Sequence, residues 1–281
     1  MDSIAILHDD VANYFNDHLG KNFPKAPAVS EAKAYPDPEL IEIADSQGRM
    51  LVDVSADHLI AFTKTMTEPV QTFAPWVSVR GVLEASAIAA WIMDPAIDST
   101  ERVGRSLALR HEGLSQSVKF LRASKVDQEV IVRAERRIDE LEREAISVGF
   151  EKVQDKNRKR IGIGMRMPSI TQLISQVFDD EPTYRLLSAM AHGHLWALQK
   201  LGYKIHEDNG ASSHVKLKQH ISPDSVWYLS VKTVTAFVRP VWLKSRRNGW
   251  DLDRLRVVLE SAFNVMEIND QERFWRADDR A

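Results

Sequence analysis

Cysteine is absent from the 281-residue chain. The protein therefore has no disulfide, no thiol nucleophile and no cysteine-ligated zinc or iron–sulfur site. An excess of one charge is also missing, because 37 Lys and Arg residues face 40 Asp and Glu residues, for a net charge of −3. A surface that binds nucleic acid or another polyanion must therefore be a local patch.

A long apolar run without charge is missing as well. The most apolar window, residues 73–95, carries Arg80 and Glu84 in its middle. Each charge is costly in lipid, so the window predicts a helix buried in a soluble protein. Residues 1–11 lack the basic segment and apolar core of a signal peptide. We therefore expect a cytoplasmic protein with no membrane partner.

Apolar residues recur at helical spacing through most of the chain. This pattern predicts an all-α protein, a multi-helix bundle of roughly eight helices. Helices are predicted at about 75–93, 223–247 and 251–268, with a short helix at about 38–46 that is broken by SQGR, residues 46–49. The predicted irregular segments are the proline-rich linker 21–38, a loop at 150–168 and a polar tail from Asp270. Residues 203–221 alternate in polarity around a DNG turn signal, which predicts a small hairpin-like excursion. We expect two parts: residues 1–49, an N-terminal helix and proline-rich linker packed on the main domain, and residues 50–281, the helical bundle domain.

The clearest candidate site is a polar stripe in the apolar stretch YRLLSAMAHGHLW, residues 184–196. In one continuous helix over 183–201, Arg185, Ser188 and His192 share a face, and His194 points to roughly the opposite face. One interpretation is a functional site. The other is a set of structural polar groups, with Arg185 paired to a carboxylate and His192 hydrogen-bonded to a neighbour.

An Arg followed by six residues and a His, late in a helical bundle, resembles the signature of HEPN-domain proteins. The surrounding YRLLSAMAHG is also similar to helical HEPN-like proteins of unassigned function from bacteria. The resemblance implies a metal-independent ribonuclease that needs no cofactor. It implies that His192 moves a proton of the RNA and that Arg185 holds the phosphate.

The spacing of Arg185 and His192 bears on the oligomeric state. Seven positions on a helix separate their Cα atoms by about 10 Å along the axis. Helical side chains lean toward the N-terminus, so Arg185 leans away from His192. Two antiparallel copies of the helix would bring each His to the other copy's Arg. We therefore expect a homodimer.

Arg80 and Glu84 lie four residues apart in the apolar 73–95 window. Buried charges need partners, so the simple expectation is an internal Arg80–Glu84 pair. A second hypothesis places this pair against Arg185 and His192, where it supports the site.

Two basic runs are candidate RNA contacts, because cations beside aromatic rings suit a phosphate backbone and stacked bases. Cations at a helix end, favoured by the helix dipole, are the alternative interpretation. The charges of 101–114, Arg102 among them, are expected to form a solvated helix face. The alternative is that they join the polar interior around Arg185 and His192. The RNA-contact candidates are Lys156, Arg158, Lys159 and Arg160 in the first run, and Arg246 and Arg247 in the second.

Two functions follow from these observations. The first is a HEPN-like protein that binds or cleaves RNA at His192 and Arg185. The alternative is a non-catalytic helical scaffold or partner-binding protein whose polar stripe is structural. Solvent access to His192 discriminates between them. His206, His214 and His220 do not have a metal-binding spacing, so no metal is predicted.

Overall fold

The computed structural model describes residues 1–21, 23–156, 160–206 and 216–266. Helices dominate these residues, so the predicted all-α class is confirmed. The described part holds eleven α-helical segments, since several predicted helices are split or joined differently. They are α1 (Asp2–His18), α2 (Pro27–Ala34), α3 (Pro38–Thr65), α4 (Ala74–Ile92), α5 (Ser99–Ala123), α6 (Gln128–Ser147), α7 (Ile170–Phe178), α8 (Glu181–Ala191), α9 (Leu195–Ala197), α10 (Pro223–Arg247) and α11 (Leu252–Val265).

Helix α4 is the central helix of the fold. It packs against α3, α7, α8 and α10, and most of its side chains are buried. Four of its buried residues are alanines and two are serines, and these small side chains let neighbouring helices approach closely. One buried polar contact, between the hydroxyls of Ser55 and Ser86 (2.8 Å), joins α3 to α4. The prediction of a buried helix in 73–95 is confirmed.

Helix α3 runs without a break through the SQGR sequence that was expected to interrupt it. Asp37 caps its start by accepting a hydrogen bond from the Glu39 amide, and Pro38 occupies its first turn. Gly48 lies within this helix, and a Cβ there would come within 2.8 Å of the Met93 side chain. The expected boundary between residues 49 and 50 therefore falls inside a helix.

The segment expected to be a linker, residues 21–38, contains α2 and a buried ionic cluster. Glu31 of α2 accepts hydrogen bonds from Arg102 Nε (3.0 Å) and Arg247 Nη2 (2.8 Å). Asp45 of α3 accepts a further bond from Arg247 (2.6 Å). Both arginines are buried, so these contacts hold α2, α3, α5 and α10 together. Arg102 is thus not on a solvated helix face, because its side chain turns inward beneath α2.

Residues 150–168 were expected to form a loop, and the structure places a short antiparallel hairpin there. Its strands are β1 (Lys152–Gln154) and β2 (Arg160–Ile163). Glu142 of α6 is buried and pairs with Lys152 (2.7 Å) and Arg160 (3.0 Å). These ion pairs fasten the hairpin to α6.

The predicted hairpin in 203–221 is confirmed in its two strands, β3 (Tyr203–His206) and β4 (Lys216–Gln219). Its turn lies outside the described residues. At the base of the hairpin, the Tyr203 ring contacts the Phe73 ring (5.6 Å between centroids). Gly202 leaves room for Phe73, because a Cβ there would overlap that ring. The hairpin is therefore anchored where α4 begins.

Helices α10 and α11 complete the bundle, close to their predicted bounds. Pro240 lies inside α10, which continues to Arg247. The predicted polar tail from Asp270 lies outside the described residues. Among the described helices, none combines the length and apolar character needed to cross a bilayer.

Candidate functional site

The 183–201 segment is not one helix, and the break determines where His192 lies. Helix α8 ends at Ala191 with His192 as its C-terminal cap, and Gly193 adopts a left-handed conformation (φ 69°). The Gly193 amide donates to the Met190 carbonyl (3.3 Å), and the His194 amide to that of Ala189 (2.9 Å). This is a Schellman motif, in which glycine is favoured because it tolerates positive φ. The chain therefore turns away directly after His192, which is exposed.

His192 lies against Arg80 of α4, which in turn pairs with Glu84 of the same helix. Arg80 Nη1 is 3.0 Å from His192 Nε2, and Arg80 Nε donates to Glu84 Oε1 at 2.7 Å. The Tyr184 hydroxyl donates to the same Glu84 oxygen (3.0 Å). The Arg80 guanidinium also lies 5.6 Å from the centre of the Tyr184 ring. Arg80, Glu84, Tyr184 and His192 therefore form one connected cluster between α4 and the end of α8, which we call the Arg–His cluster.

The contact between Arg80 and His192 assigns the hydrogen-bond roles. Arginine has only donors, so His192 Nε2 is the acceptor in this contact. Burial opposes the positive charge of Arg80, but the hydrogen bond and charge of Glu84 outweigh it and raise the pKa of Arg80. The cluster thus holds a permanent cation beside an imidazole nitrogen.

Tyr184 is the buried member of the cluster. Its burial, together with the negative charge of Glu84, raises the pKa of its hydroxyl. Tyr184 therefore remains a hydrogen-bond donor at neutral pH and fixes the Glu84 carboxylate. Sequence reasoning missed this residue, although Tyr184 opens the stretch 184–196 and lies eight residues, just over two helical turns, before His192.

The cluster is open to solvent. The Arg80 and Glu84 side chains are 23% and 32% exposed. Beyond His192, the chain exposes Leu195 (72%) and Trp196 (55%) on the short helix α9. Trp196 follows His192 by four residues in the chain, and an exposed tryptophan suits a stacked nucleic-acid base. A ligand can therefore reach the cluster from solvent.

The structure separates Arg185 from the Arg–His cluster. Arg185 is exposed (69%) and its Nε donates to Glu181 Oε1 (2.7 Å), one turn toward the start of α8. This agrees with the N-terminal lean expected for helical side chains. Ser188, the third residue of the predicted stripe, is partly exposed. Thus Arg80, not Arg185, is the arginine beside His192 within one subunit.

The first basic run is only partly described. Lys156 is exposed, and Arg158 and Lys159 lie outside the described residues. Arg160 pairs with Asp139 (2.7 Å) and with the buried Glu142, and both carboxylates raise its pKa. Its guanidinium already has two carboxylate partners, so it serves the attachment of the β1–β2 hairpin.

The second basic run does not form a continuous cationic surface. Arg247 is buried and held by Asp45 and Glu31, so it does not face a phosphate backbone as a surface residue would. Arg246 is partly exposed at the end of α10. A cation at that end of a helix is also favoured by the dipole, so Arg246 has a local structural role.

Among the described residues, no group of three or more His, Asp or Glu side chains is arranged to hold a metal ion. His214 lies outside them. The groups available for chemistry at the Arg–His cluster are an imidazole, a guanidinium, a phenol and a carboxylate. Comparisons of the chain with protein-family models, curated proteins and solved structures found no match.

Proposed function

We propose that the Arg–His cluster binds single-stranded RNA and cleaves it without a metal ion. The observation that carries this proposal is the exposed contact between Arg80 Nη1 and His192 Nε2, at 3.0 Å. It places a nitrogen that can act as a base and a fixed positive charge within reach of the same bound nucleotide. RNA offers both matching groups, a hydroxyl proton for the base and a phosphate for the cation.

His192 acts as the general base in this proposal. When a phosphate oxygen replaces His192 as the acceptor of the Arg80 Nη1–H bond, the lone pair of Nε2 is free to take the proton of a ribose 2′-hydroxyl, and the oxygen attacks the adjacent phosphorus. The bond from phosphorus to the 5′-oxygen breaks, and that oxygen takes a proton from the imidazolium or from water. The products are a 2′,3′-cyclic phosphate and a free 5′-hydroxyl, so protons and electrons balance.

Arg80 stabilises the charge that develops on the phosphate. A guanidinium has five N–H donors, and Glu84 and Tyr184 hold one side of it. The side toward His192 is then available to phosphate oxygens. Because the carboxylate fixes the guanidinium before RNA binds, little reorganisation is needed during the reaction.

Arg185 is assigned to a second copy of the chain. It is exposed and points away from the His192 of its own subunit. In an antiparallel homodimer, it would contact the phosphate bound at the partner's Arg–His cluster. Its pair with Glu181 is exposed, so exchanging it for a phosphate costs little.

The alternative function is a scaffold that binds a partner without catalysis. The observation in its favour is that the cluster satisfies its own hydrogen bonds and joins α4 to α8. The two functions predict different results when His192 is removed.

The test is incubation of single-stranded RNA with the protein in excess chelator. The wild type is expected to cleave, and His192→Ala to lose at least about a hundredfold of the rate, as removal of a general base does. His194→Gln is the matched control, because His194 is also exposed but has no contact with Arg80 among the described residues. Absence of RNA cleavage by the folded wild-type protein would favour the scaffold.

A further inference from the structure

The chain that leaves the Arg–His cluster leads directly into the β3–β4 hairpin. After His192 come α9, a π-helical turn (Leu198–Gly202) and then β3. The base of the hairpin contacts Phe73, which precedes α4, and Arg80 follows seven residues later. That separation is about 10 Å along the helix axis. The hairpin and the cluster are thus fixed to the same helix.

Two lysines lie directly opposite each other on this hairpin. The strand register pairs Lys204 with Lys218, and both are exposed. Directly opposed residues in antiparallel strands have Cβ atoms about 5 Å apart, and like charges there are destabilising. In the described part of the chain, no carboxylate forms an ion pair with either lysine. An anion between the two ammonium groups would relieve their repulsion.

Along the sequence, the exposed Trp196 lies between His192 of the cluster and the first lysine of the pair. Trp196 is four residues after His192 and eight before Lys204. A stacking surface followed by a cationic pair is the arrangement that single-strand binding uses, with bases on aromatic rings and phosphates on cations. A polyanion of several nucleotides fits this arrangement better than a single small anion does.

We infer that the β3–β4 hairpin is a second contact for single-stranded RNA, in which Lys204 and Lys218 hold one backbone phosphate of a strand that also occupies the Arg–His cluster. The inference rests on the proposed function, because the cluster supplies the other end of the strand. The hairpin contact makes the protein prefer RNA strands that are long enough to reach from the cluster to the hairpin. A dinucleotide engages the cluster alone.

The test measures binding in a background that does not cleave. Binding of an oligoribonucleotide of about ten residues to His192→Ala protein is compared with binding after Lys204→Gln and Lys218→Gln are added. Loss of one charge-assisted phosphate contact is expected to weaken binding about tenfold. The slope of log affinity against log salt should fall by about 0.7, the value for one phosphate on a single strand. Lys25→Gln with Lys119→Gln removes the same charge from exposed positions elsewhere and should change neither quantity.

The possible failures are distinguishable. Unchanged binding after the Lys204 and Lys218 substitutions overturns the hairpin inference, as does an equal loss in the control variant. A change in oligomeric state on size-exclusion chromatography, with RNA binding intact, overturns it in favour of a protein interface. If His192→Ala protein binds no RNA and wild type cleaves neither a dinucleotide nor the longer strand, the proposed function fails too. Normal cleavage of both substrates by the lysine variant leaves the proposed function standing and removes only the hairpin contact.

Discussion

Arg80 and His192 are 112 residues apart in the chain, yet a guanidinium nitrogen of Arg80 lies 3.0 Å from the imidazole Nε2 of His192. Glu84 and Tyr184 fix the guanidinium from the other side. Because Arg80 can only donate, His192 Nε2 is the acceptor of this hydrogen bond. The pair therefore joins a base to a cation at an exposed position.

Arg80→Lys is predicted to lower the RNA cleavage rate about a hundredfold, the usual effect of losing one well-placed donor to a developing charge. A lysine cannot contact Glu84 and His192 together with the planar geometry of a guanidinium. The free energy of unfolding should fall by no more than about 1 kcal/mol, because the pair is partly exposed. Single-turnover kinetics and urea unfolding measure the two effects. A lysine variant that cleaves at the wild-type rate would show that the guanidinium has no role in the reaction.

Arg185→Gln and His192→Ala are each predicted to lose activity, and an equal mixture of the two proteins to regain it. In a twofold-symmetric dimer, random exchange makes half of the dimers mixed, with one intact site each, so about a quarter of the wild-type activity returns. The measurement is RNA cleavage after the mixed proteins have exchanged subunits. Full activity of Arg185→Gln alone would mean that Arg80 suffices and that a second copy contributes nothing.

The sequence correctly predicted the long helices that are buried along most of their length. The apolar windows of α4 and α10 were placed within about two residues, because long helical periodicity is a strong signal. The Arg80–Glu84 pair was also predicted, since two charges at i and i+4 on an apolar helix must find partners. These features depend on local spacing alone.

The remaining features depend on contacts between distant residues. Gly193 was treated as part of a helix, although a glycine between two histidines could have indicated the Schellman end of α8. Arg102 was assigned to a solvated face because its partner Glu31 is 71 residues away. Tyr184 was missed for the same reason, since its bond to Glu84 spans 100 residues. Helical periodicity carries no information on which distant residues pair, so it could not predict these contacts.

Glu31→Gln is predicted to destabilise the protein at pH 7 by about 2 kcal/mol, since it weakens a buried ionic cluster without removing every partner of Arg102 and Arg247. Burial alone would raise the pKa of Glu31, but the hydrogen bond and charge of Arg247, with the charge of Arg102, outweigh it and lower the pKa below 4.5. A carboxyl with a lowered folded-state pKa stabilises the fold above its unfolded-state pKa. That stabilisation disappears as the pH falls through the folded-state value.

The difference in unfolding free energy between wild type and Glu31→Gln should therefore be largest at neutral pH and shrink below about pH 4.5. Urea unfolding across pH 3 to 7 measures it, with the exposed Glu42→Gln as the matched control. A difference that stays constant over this range would mean that the ionised form of Glu31 does not stabilise the fold.

Gly162→Ala is predicted to destabilise the protein by about 2 kcal/mol, as overpacking in a closed site does. Its Cβ would overlap the carbonyl oxygen of Met165, and backbone cannot move aside as a flexible side chain can. Gly113→Ala in α5 is the control, since no atom lies within 4 Å of its Cβ position. It should stabilise the helix by up to about 1 kcal/mol. Equal effects of the two substitutions on thermal unfolding would contradict the described β2 geometry.

The central claim is that His192 removes a ribose 2′-hydroxyl proton while Arg80 holds the phosphate. The most direct measurement uses a DNA strand that contains one ribonucleotide, incubated with the protein in excess chelator. We predict a single cut on the 3′ side of that ribonucleotide, a product that ends in a 2′,3′-cyclic phosphate, and loss of the cut in His192→Ala. Cleavage of the all-DNA strand, or an unchanged cut in His192→Ala, would contradict it.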